Sequence, residues 1–265
     1  MGVQALHSAA TGMEAFQFNM DTIANNLANA GTHGFKSSRV NFEDLYYQHM
    51  KAPGANAGDG VIPLGVSVGL GTRVASTNRD HSQGNLITTN KPLDLAIAGR
   101  GFLQVTNGTQ TYYTRYGGLT QNAEGTLVLE SANQSWRVEP AIQIPIDATN
   151  VTVSDLGLVT ALQAGQTEPT ELGTLQLAMF QNQHGLMQVG ENLYTETAAS
   201  GAATQTQPSL EGAGTIKSGF LEASNVEPVR ELVDLIKTQR NIELNSQVIQ
   251  AADQTLQLIA NLRRF

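Results

Sequence analysis

The chain has 265 residues, with 15 lysines and arginines, 23 aspartates and glutamates, and a formal net charge of −8 at pH 7. The length allows one large or two moderate hydrophobic cores. The acidic balance argues against unaided binding to nucleic acid or to an anionic membrane. The absence of cysteine excludes disulfides, cysteine-based metal sites and thiol catalysis. Apolar runs are too short to span a bilayer, and we expect neither membrane insertion nor a cleaved secretory signal.

A heptad stripe opens the chain. Its members alternate spacings of three and four residues: Leu6, Ala9, Met13, Phe16, Met20, Ile23, Leu27 and Ala30. This repeat predicts a helix with one continuous face toward partner helices. Burial of its large apolar side chains contributes roughly 9 to 18 kcal/mol, whereas ordering the helix costs roughly 25 to 50 kcal/mol of backbone entropy. We therefore expect partners from other chains. The alternative is an ordinary amphipathic helix on its own core.

The helical period ends near residue 30. Asn29, Gly31 and Gly34 predict the C-terminal cap of this helix. An extended arm followed by a short turn is expected over residues 35–47. Residues 51–71 are rich in glycine and contain two prolines, which predicts a loop leading into irregular strands.

β signals dominate from about residue 72 to residue 219. Leu93, Leu95 and Ile97 alternate with polar or small residues, as in a half-buried strand. Asn107-Gly108 lies between two strand-like runs, which predicts a tight hairpin. These signals predict an all-β domain inserted between two helical ends.

A second heptad helix closes the chain. Ser224-Asn225-Val226-Glu227 has the pattern of a capping box, and Pro228 falls in the first predicted turn. The stripe that follows includes Thr238 and has these packing positions: Leu235, Ile242, Asn245, Ile249, Ala252, Leu256 and Ile259.

The predicted fold class is a multi-domain α+β chain. The N- and C-terminal α-helices form a coiled-coil domain over residues 1–34 and 224–265. An extended or β connecting segment with the Gly-rich insertion covers residues 35–76 and 213–223. An all-β outer domain covers residues 77–212.

The sequence offers little that could carry chemistry. Its five histidines have no metal-ligand spacing: His7, His33, His49, His81 and His184. The Gly-rich run over residues 65–71 precedes β-leaning residues instead of a helix start, which favours a strand or bulge over a phosphate loop. No nucleophile elbow is present, and the acidic residues are dispersed. We expect no enzymatic activity, no metal and no cofactor.

Several strings resemble the bacterial flagellar rod and hook proteins. They are ANNLANAGTHGFKSSRVNFEDL, LDLAIAGRGFLQVTNG, YTRYGGLTQNAEGTLV, GENLYTET and SNVEPVRELVDLIKTQRNIELNSQVIQAADQTLQ. They occur in family order over nearly the whole chain. The residues that carry the family motif are Asn25, Asn26, Asn29, Gly34, Phe35, Lys36, Ser224, Asn225 and Val226.

Length and the insertion over about residues 46–76 resemble the distal-rod type of this family, with another rod subunit as the nearest alternative. The resemblance implies a structural subunit of the flagellar basal body that self-assembles helically into a rigid hollow drive shaft between motor and hook. Implied partners are further copies, proximal rod proteins, the hook protein, the surrounding P- and L-ring proteins, the type III export apparatus and the rod cap. The implied location is the periplasm-spanning rod, reached without a cleaved signal peptide. The alternative class is a secreted, non-enzymatic binding protein or adhesin with the same β domain.

Overall fold

The computed structural model describes residues 2–51, 56–57, 60–61, 64–131, 135–166 and 168–262. The chain divides into two compact units. The helical unit comprises residues 1–28, 38–79 and 227–265, and the β unit comprises residues 29–37 and 80–226. The residues 52–55, 58–59 and 62–63 of the predicted Gly-rich insertion lie outside the described residues.

Two long helices dominate the helical unit, α1 (Gly2–Ala28) and α2 (Pro228–Leu262). They pack against each other. Nδ2 of Asn19 donates to Oγ1 of Thr238 at 3.0 Å, and Nδ2 of Asn26 donates to Oε1 of Glu231 at 3.3 Å. The partner number falls by seven when the α1 number rises by seven, so the helices run antiparallel with a seven-residue period of contacts.

The start of α2 differs from the predicted capping box. The helix begins at Pro228, whose missing N–H and fixed φ suit a first helical position. Oγ of Ser224 accepts a hydrogen bond from the N–H of Val226 at 3.3 Å, which forms a local turn before the helix. Ser224 is therefore not the cap, because the segment before Pro228 is bound to the β unit through Asn225.

Short antiparallel ribbons complete the helical unit. Their strands are β1 (Ser38–Asp44), β2 (Tyr47–Lys51), β3 (Asn56–Ala57), β4 (Gly60–Val61), β5 (Val66–Gly69) and β6 (Thr72–Arg79). The pairs are β1 with β6, β2 with β5, and β3 with β4. The ring of Phe42 on β1 lies 6.1 Å from the ring of Phe16 on α1, between centroids. The longest ribbon thus packs on the first helix.

The β unit consists of short strands and one 3-10 turn at Gln183–Gly185. The strands are β7 (Leu86–Thr88), β8 (Leu95–Ala98), β9 (Phe102–Thr106), β10 (Thr111–Thr114), β11 (Leu119–Gln121), β12 (Leu127–Leu129), β13 (Arg137–Glu139), β14 (Ala148–Val153), β15 (Leu158–Gln163), β16 (Thr170–Thr174), β17 (Leu177–Met179), β18 (Met187–Gly190), β19 (Leu193–Thr195), β20 (Thr204–Thr206), β21 (Thr215–Ser218) and β22 (Phe220–Glu222).

Antiparallel pairing organises these strands around β9. The main sheet runs β11-β12-β13-β9-β10-β19-β18, and β17 pairs with both β9 and β20. A separate sheet has the order β14-β15-β16, while β21 pairs with β8 and β22 pairs with β7. The predicted hairpin at Asn107-Gly108 is confirmed, since it joins β9 to β10 with Thr106 opposite Thr111.

The core of the β unit has an aliphatic part and an aromatic part. Successive side chains of a strand point to opposite faces. On β9, Leu103 and Val105 enter the aliphatic cluster, whereas Phe102 enters a cluster with Phe180 and Tyr194. Both faces of the central strand are therefore buried.

At the coarse level the predicted α+β class is confirmed, with terminal helices and a mostly β middle. The coiled coil, the inserted all-β domain and the three-part domain boundaries stay predictions. Within the described residues, neither helix has an apolar stretch of the length and hydropathy needed to cross a membrane.

Candidate assembly site

The predicted stripe of α1 is at least partly covered within the chain. Ala9 and Ile23 are buried, and the other six positions have intermediate exposure. Phe16, one of those six, packs on Phe42. The prediction that Ala30 belongs to this helix is wrong, because α1 ends at Ala28 and Ala30 lies in the turn that follows. The packing of this stripe onto other subunits stays a prediction.

The predicted stripe of α2 turns mainly toward the interior of the helical unit. Thr238 and Ala252 are buried, whereas Ile259 is exposed. The remaining positions have intermediate exposure: Leu235, Ile242, Asn245, Ile249 and Leu256.

A column of small and polar residues makes the close contacts between the helices. A Cβ placed on Gly12 would lie 3.1 Å from Nδ2 of Asn245, so the missing side chain allows close approach. Asn19 and Asn26 follow at seven-residue intervals and face Thr238 and Glu231. Sequence reasoning followed the adjacent apolar stripe and missed Gly12. The seven-residue spacing of Gly12, Asn19 and Asn26 was the available signal.

Asn26 connects three segments of the helical unit. Its Oδ1 accepts from the N–H of Ser38 at 2.9 Å, and its Nδ2 donates to the carbonyl of Ser38 at 2.8 Å. The same amide group reaches Glu231 on α2. Burial raises the pKa of the Glu231 carboxyl, and the hydrogen bond from Asn26 opposes that rise. Asn26 thus fixes the start of β1 against both helices.

A second apolar face of α2 is open. Its members are 45% to 76% exposed: Val229, Leu232, Val233, Ile236, Leu244, Val248 and Leu258. With 3.6 residues per turn, Val229 and the buried Thr238 are two and a half turns apart and point to opposite sides of the helix. Ile236 and Leu258 fall on the side of Val229. This set, the open α2 face, lies on one side of the helix and is interrupted by the exposed Arg240–Glu243 ion pair. Exposed apolar side chains grouped in this way mark interaction sites.

In the β unit, the motif residues from both ends of the sequence meet. Lys36 is completely buried, and its Nζ donates to Oε1 of Glu222 at 2.5 Å and to the carbonyl of Ser82 at 2.7 Å. Burial lowers the pKa of the Lys36 ammonium, and the Glu222 carboxylate opposes this shift.

Glu222 also receives a second cation. NH1 of Arg115 lies 3.4 Å from Oε2 of Glu222, and NH2 of Arg115 donates to the carbonyl of Gly99 at 2.7 Å. The N–H of Gly84 donates to Oε1 of Glu222 at 3.0 Å. Two buried cations therefore share one buried carboxylate.

Backbone contacts complete this junction. The N–H of Gly34 donates to the carbonyl of Glu222 at 2.8 Å. Gly34 has a φ of +73°, and a Cβ there would lie 2.9 Å from the nitrogen of Tyr116. Asn225 accepts from the N–H of Ser37 at 2.8 Å and donates to the carbonyl of Asp80 at 2.9 Å. Gly34 and Asn225 are thus required by local geometry.

The other motif residues have local roles. The carbonyl of Asn29 accepts from Thr32 at 3.1 Å, in the turn after α1. Phe35 and Val226 are buried apolar residues, and Ser224 forms the turn before α2. Asn25 is exposed on α1.

The arrangement holds buried charges and exposes apolar helix surface. Among the described residues, no group of three or more histidine or acidic side chains is placed to hold a metal ion. The buried charges of Lys36, Arg115 and Glu222 contact one another inside the β unit. The open α2 face instead suits docking onto another apolar surface.

Family models assign the class. The model for flagella basal body rod proteins matches residues 6–36, and the D1-domain model of the flagellar hook protein FlgE/F/G matches residues 96–161. The model for the C-terminal region of the flagellar basal body rod FlgEFG proteins matches residues 217–262. These matches place the chain in the class of flagellar rod and hook proteins. They follow one another along the chain in the order that the sequence resemblance implies.

Full-length relatives then specify the family. The flagellar basal-body rod protein FlgG of Caulobacter vibrioides is 44% identical over 264 residues, which is 98% of this chain and 100% of the relative. FlgG of Bacillus subtilis is 37% identical over 99% of this chain and 100% of the relative. The flagellar hook protein FlgE of Treponema pallidum is 43% identical, but over only 48% of this chain and 27% of its own length. The chain belongs to the family of the flagellar basal-body rod protein FlgG.

Proposed function

We propose that this chain is a structural subunit of the flagellar distal rod, which self-assembles helically into a rigid hollow drive shaft and transmits torque to the hook. The single observation that carries the proposal is the open α2 face on a chain whose FlgG relatives match from end to end. A helix that is apolar on two opposite sides is typical of a helix covered on both. A second copy of the chain is the occupant that we propose for the open face.

The energetics favour several neighbours over one. Complete burial of a large aliphatic side chain contributes about 1.5 to 3 kcal/mol, so seven half-exposed side chains supply about 5 to 10 kcal/mol. Association costs about 4 to 15 kcal/mol of translational and rotational freedom. The free energy from one such contact is therefore close to the cost of association. In a polymer each copy makes several such contacts. Heterologous contacts whose rotation does not close propagate as an open helix.

The finer architecture belongs to the same proposal. We infer a coiled-coil domain over residues 1–34 and 224–265, a connecting segment over residues 35–76 and 213–223, and an outer β domain over residues 77–212. The seven-residue period of the contacts between α1 and α2 supports the coiled coil. Both heptad stripes are proposed to join the packing between subunits once the rod forms.

The remaining assignments also follow the family. We infer a structural role without catalysis, a place in the rod across the periplasm, and export without signal cleavage. The proposed partners are proximal rod proteins, the hook protein, the P- and L-ring proteins, the export apparatus and the rod cap. These proposed partners are supported by the family to which the chain belongs, because the FlgG relatives are named as flagellar basal-body rod proteins.

A substitution that introduces a charge on the open α2 face tests this proposal. Ile236→Asp places a carboxylate at a 64% exposed position, so the chain should fold normally. In an assembled seam the same charge would be removed from water, at a cost of several kcal/mol per copy. We expect loss of soft-agar motility when this variant is the only copy, and electron micrographs of isolated basal bodies without a complete rod.

Ile146→Asp is the matched control, because Ile146 is 90% exposed and lies in the β unit. It should leave motility and rod assembly intact. Circular dichroism of both purified variants checks that the chains are folded. Normal motility with Ile236→Asp would contradict the assignment of the open α2 face to subunit contacts.

A further inference from the structure

Residues 33–37, which we call the arm, are held on both edges by the rest of the β unit. Nδ2 of Asn192 donates to the carbonyl of His33 at 3.0 Å, and the N–H of Gly34 donates to the carbonyl of Glu222 at 2.8 Å. At the other end, the N–H of Ser37 donates to Oδ1 of Asn225, and the carbonyl of Ser37 accepts from the N–H of Asp80 at 2.9 Å. The arm is therefore attached by hydrogen bonds to several separate segments.

Lys36 is the only charged member of the arm, and it is completely buried. Its ammonium reaches the Glu222 carboxylate and the Ser82 carbonyl. A charge at that depth is tolerated because it is paired and hydrogen-bonded. The arm cannot lift away without separating this ion pair, so Lys36 is placed to control the attachment of the whole arm.

Substitutions of Lys36 and of Glu222 should have different effects, because the two residues carry opposite charges in the same cluster. Glu222 faces both Lys36 and Arg115. Removal of the Lys36 charge leaves one cation and one carboxylate, which remain a neutral pair. Removal of the Glu222 charge leaves two buried cations without the carboxylate that they share. The first change should loosen the arm, and the second should also affect the segments around Arg115.

We propose that Lys36 is a latch for the arm, whose residues 33–37 open from the β unit and close onto it as one cooperative segment. The attachment of the arm is largely polar, with Phe35 as its buried apolar side chain. The centre of the β unit instead contains the contiguous aliphatic cluster to which β9 contributes. Segments with few buried apolar contacts open at lower free energy than the core. Opening of the arm is thus a local event that leaves the sheet folded.

Amide hydrogen exchange on the full chain tests the latch. Lys36→Met keeps the length of the side chain and removes its charge. We expect the amides of Gly34 and Ser37 to exchange at least tenfold faster in this variant, while the β9 amides change by less than twofold. Lys217→Met is the matched control, because Nζ of Lys217 lies 2.8 Å from the Asp155 carboxylate in an exposed pair. This control should leave both sets of amides unchanged.

Glu222→Gln distinguishes the latch from a general stabilising contact. It should accelerate exchange in the arm and in β9 together, because two cations lose their carboxylate. Unchanged Gly34 and Ser37 amides in Lys36→Met would overturn the proposal, and so would equal acceleration of the arm and β9. If Lys36→Met does not fold, the native chain decides: the amides of Gly34 and Ser37 must exchange with one common free energy of opening, lower than that of the β9 amides.

Discussion

Asn26 offers the sharpest test of how the helical unit is held together. Its side-chain amide is buried and makes three hydrogen bonds, two with the backbone of Ser38 and one with Glu231. Asn26→Ala removes all three and leaves partly buried backbone groups of Ser38 without these partners. The neighbouring Asn25 is the same residue type on the same helix, but it is exposed. The two variants therefore compare a buried asparagine with an exposed asparagine on α1.

The expected magnitude follows from those bonds. A typical intramolecular hydrogen bond contributes about 1 kcal/mol net, and a buried group left unsatisfied costs about 1 to 3 kcal/mol. Asn26→Ala should therefore lower the free energy of unfolding by about 3 kcal/mol, whereas Asn25→Ala, at an exposed position, should lower it by less. Asn26→Asp should also destabilise, since a carboxylate accepts from Ser38 but cannot donate to its carbonyl or to Glu231.

Urea unfolding of the full chain, followed by circular dichroism at 222 nm, measures these differences. The Asn26→Asp variant adds a pH test, because protonation of the introduced carboxyl restores a donor and removes repulsion from Glu231. Its stability relative to the native chain should therefore improve as the pH falls below about 5. Equal losses for Asn25→Ala and Asn26→Ala would refute the reasoning, because the burial of Asn26 would then have no measurable effect on stability.

Two further predictions concern the β unit. Gly34→Ala should cost about 2 kcal/mol or more, because it adds a Cβ 2.9 Å from the nitrogen of Tyr116 to the strain of a positive φ; Gly212→Ala, at φ +80° with open space around it, should cost less in the same thermal melts. Burial raises the pKa of the Tyr113 phenol to about 12, so its contribution to stability is complete below pH 10 and is lost as the pH rises toward 12. Absorbance at 295 nm should show an ionisation near pH 12 that Tyr113→Phe removes, and a midpoint near 10 for that ionisation would contradict the assignment.

The elements that the sequence predicts well are those set by local patterns. The heptad spacing predicts both terminal helices, and Asn107-Gly108 predicts a hairpin, because each of these patterns is formed by residues that are close together in the sequence. The junction around Glu222 depends instead on contacts between residues far apart in sequence. Lys36 and Glu222 are 186 positions apart, so no local period connects them. The capping-box pattern failed for the related reason that tertiary contacts of Asn225 hold its segment out of the helix.

The open α2 face explains why a search for one stripe describes this helix incompletely. The side with the most regular spacing includes the buried Thr238 and Ala252 and is mainly covered within the chain. The opposite side carries Val229 and Ile236, whose exposure becomes visible only when the partner of the first side is known. Two apolar sides on one helix require two partners. In this chain α1 supplies the first partner, and in our proposal a second copy of the chain supplies the other. Assembly therefore depends on the open α2 face, which has no partner helix within its own chain among the described residues.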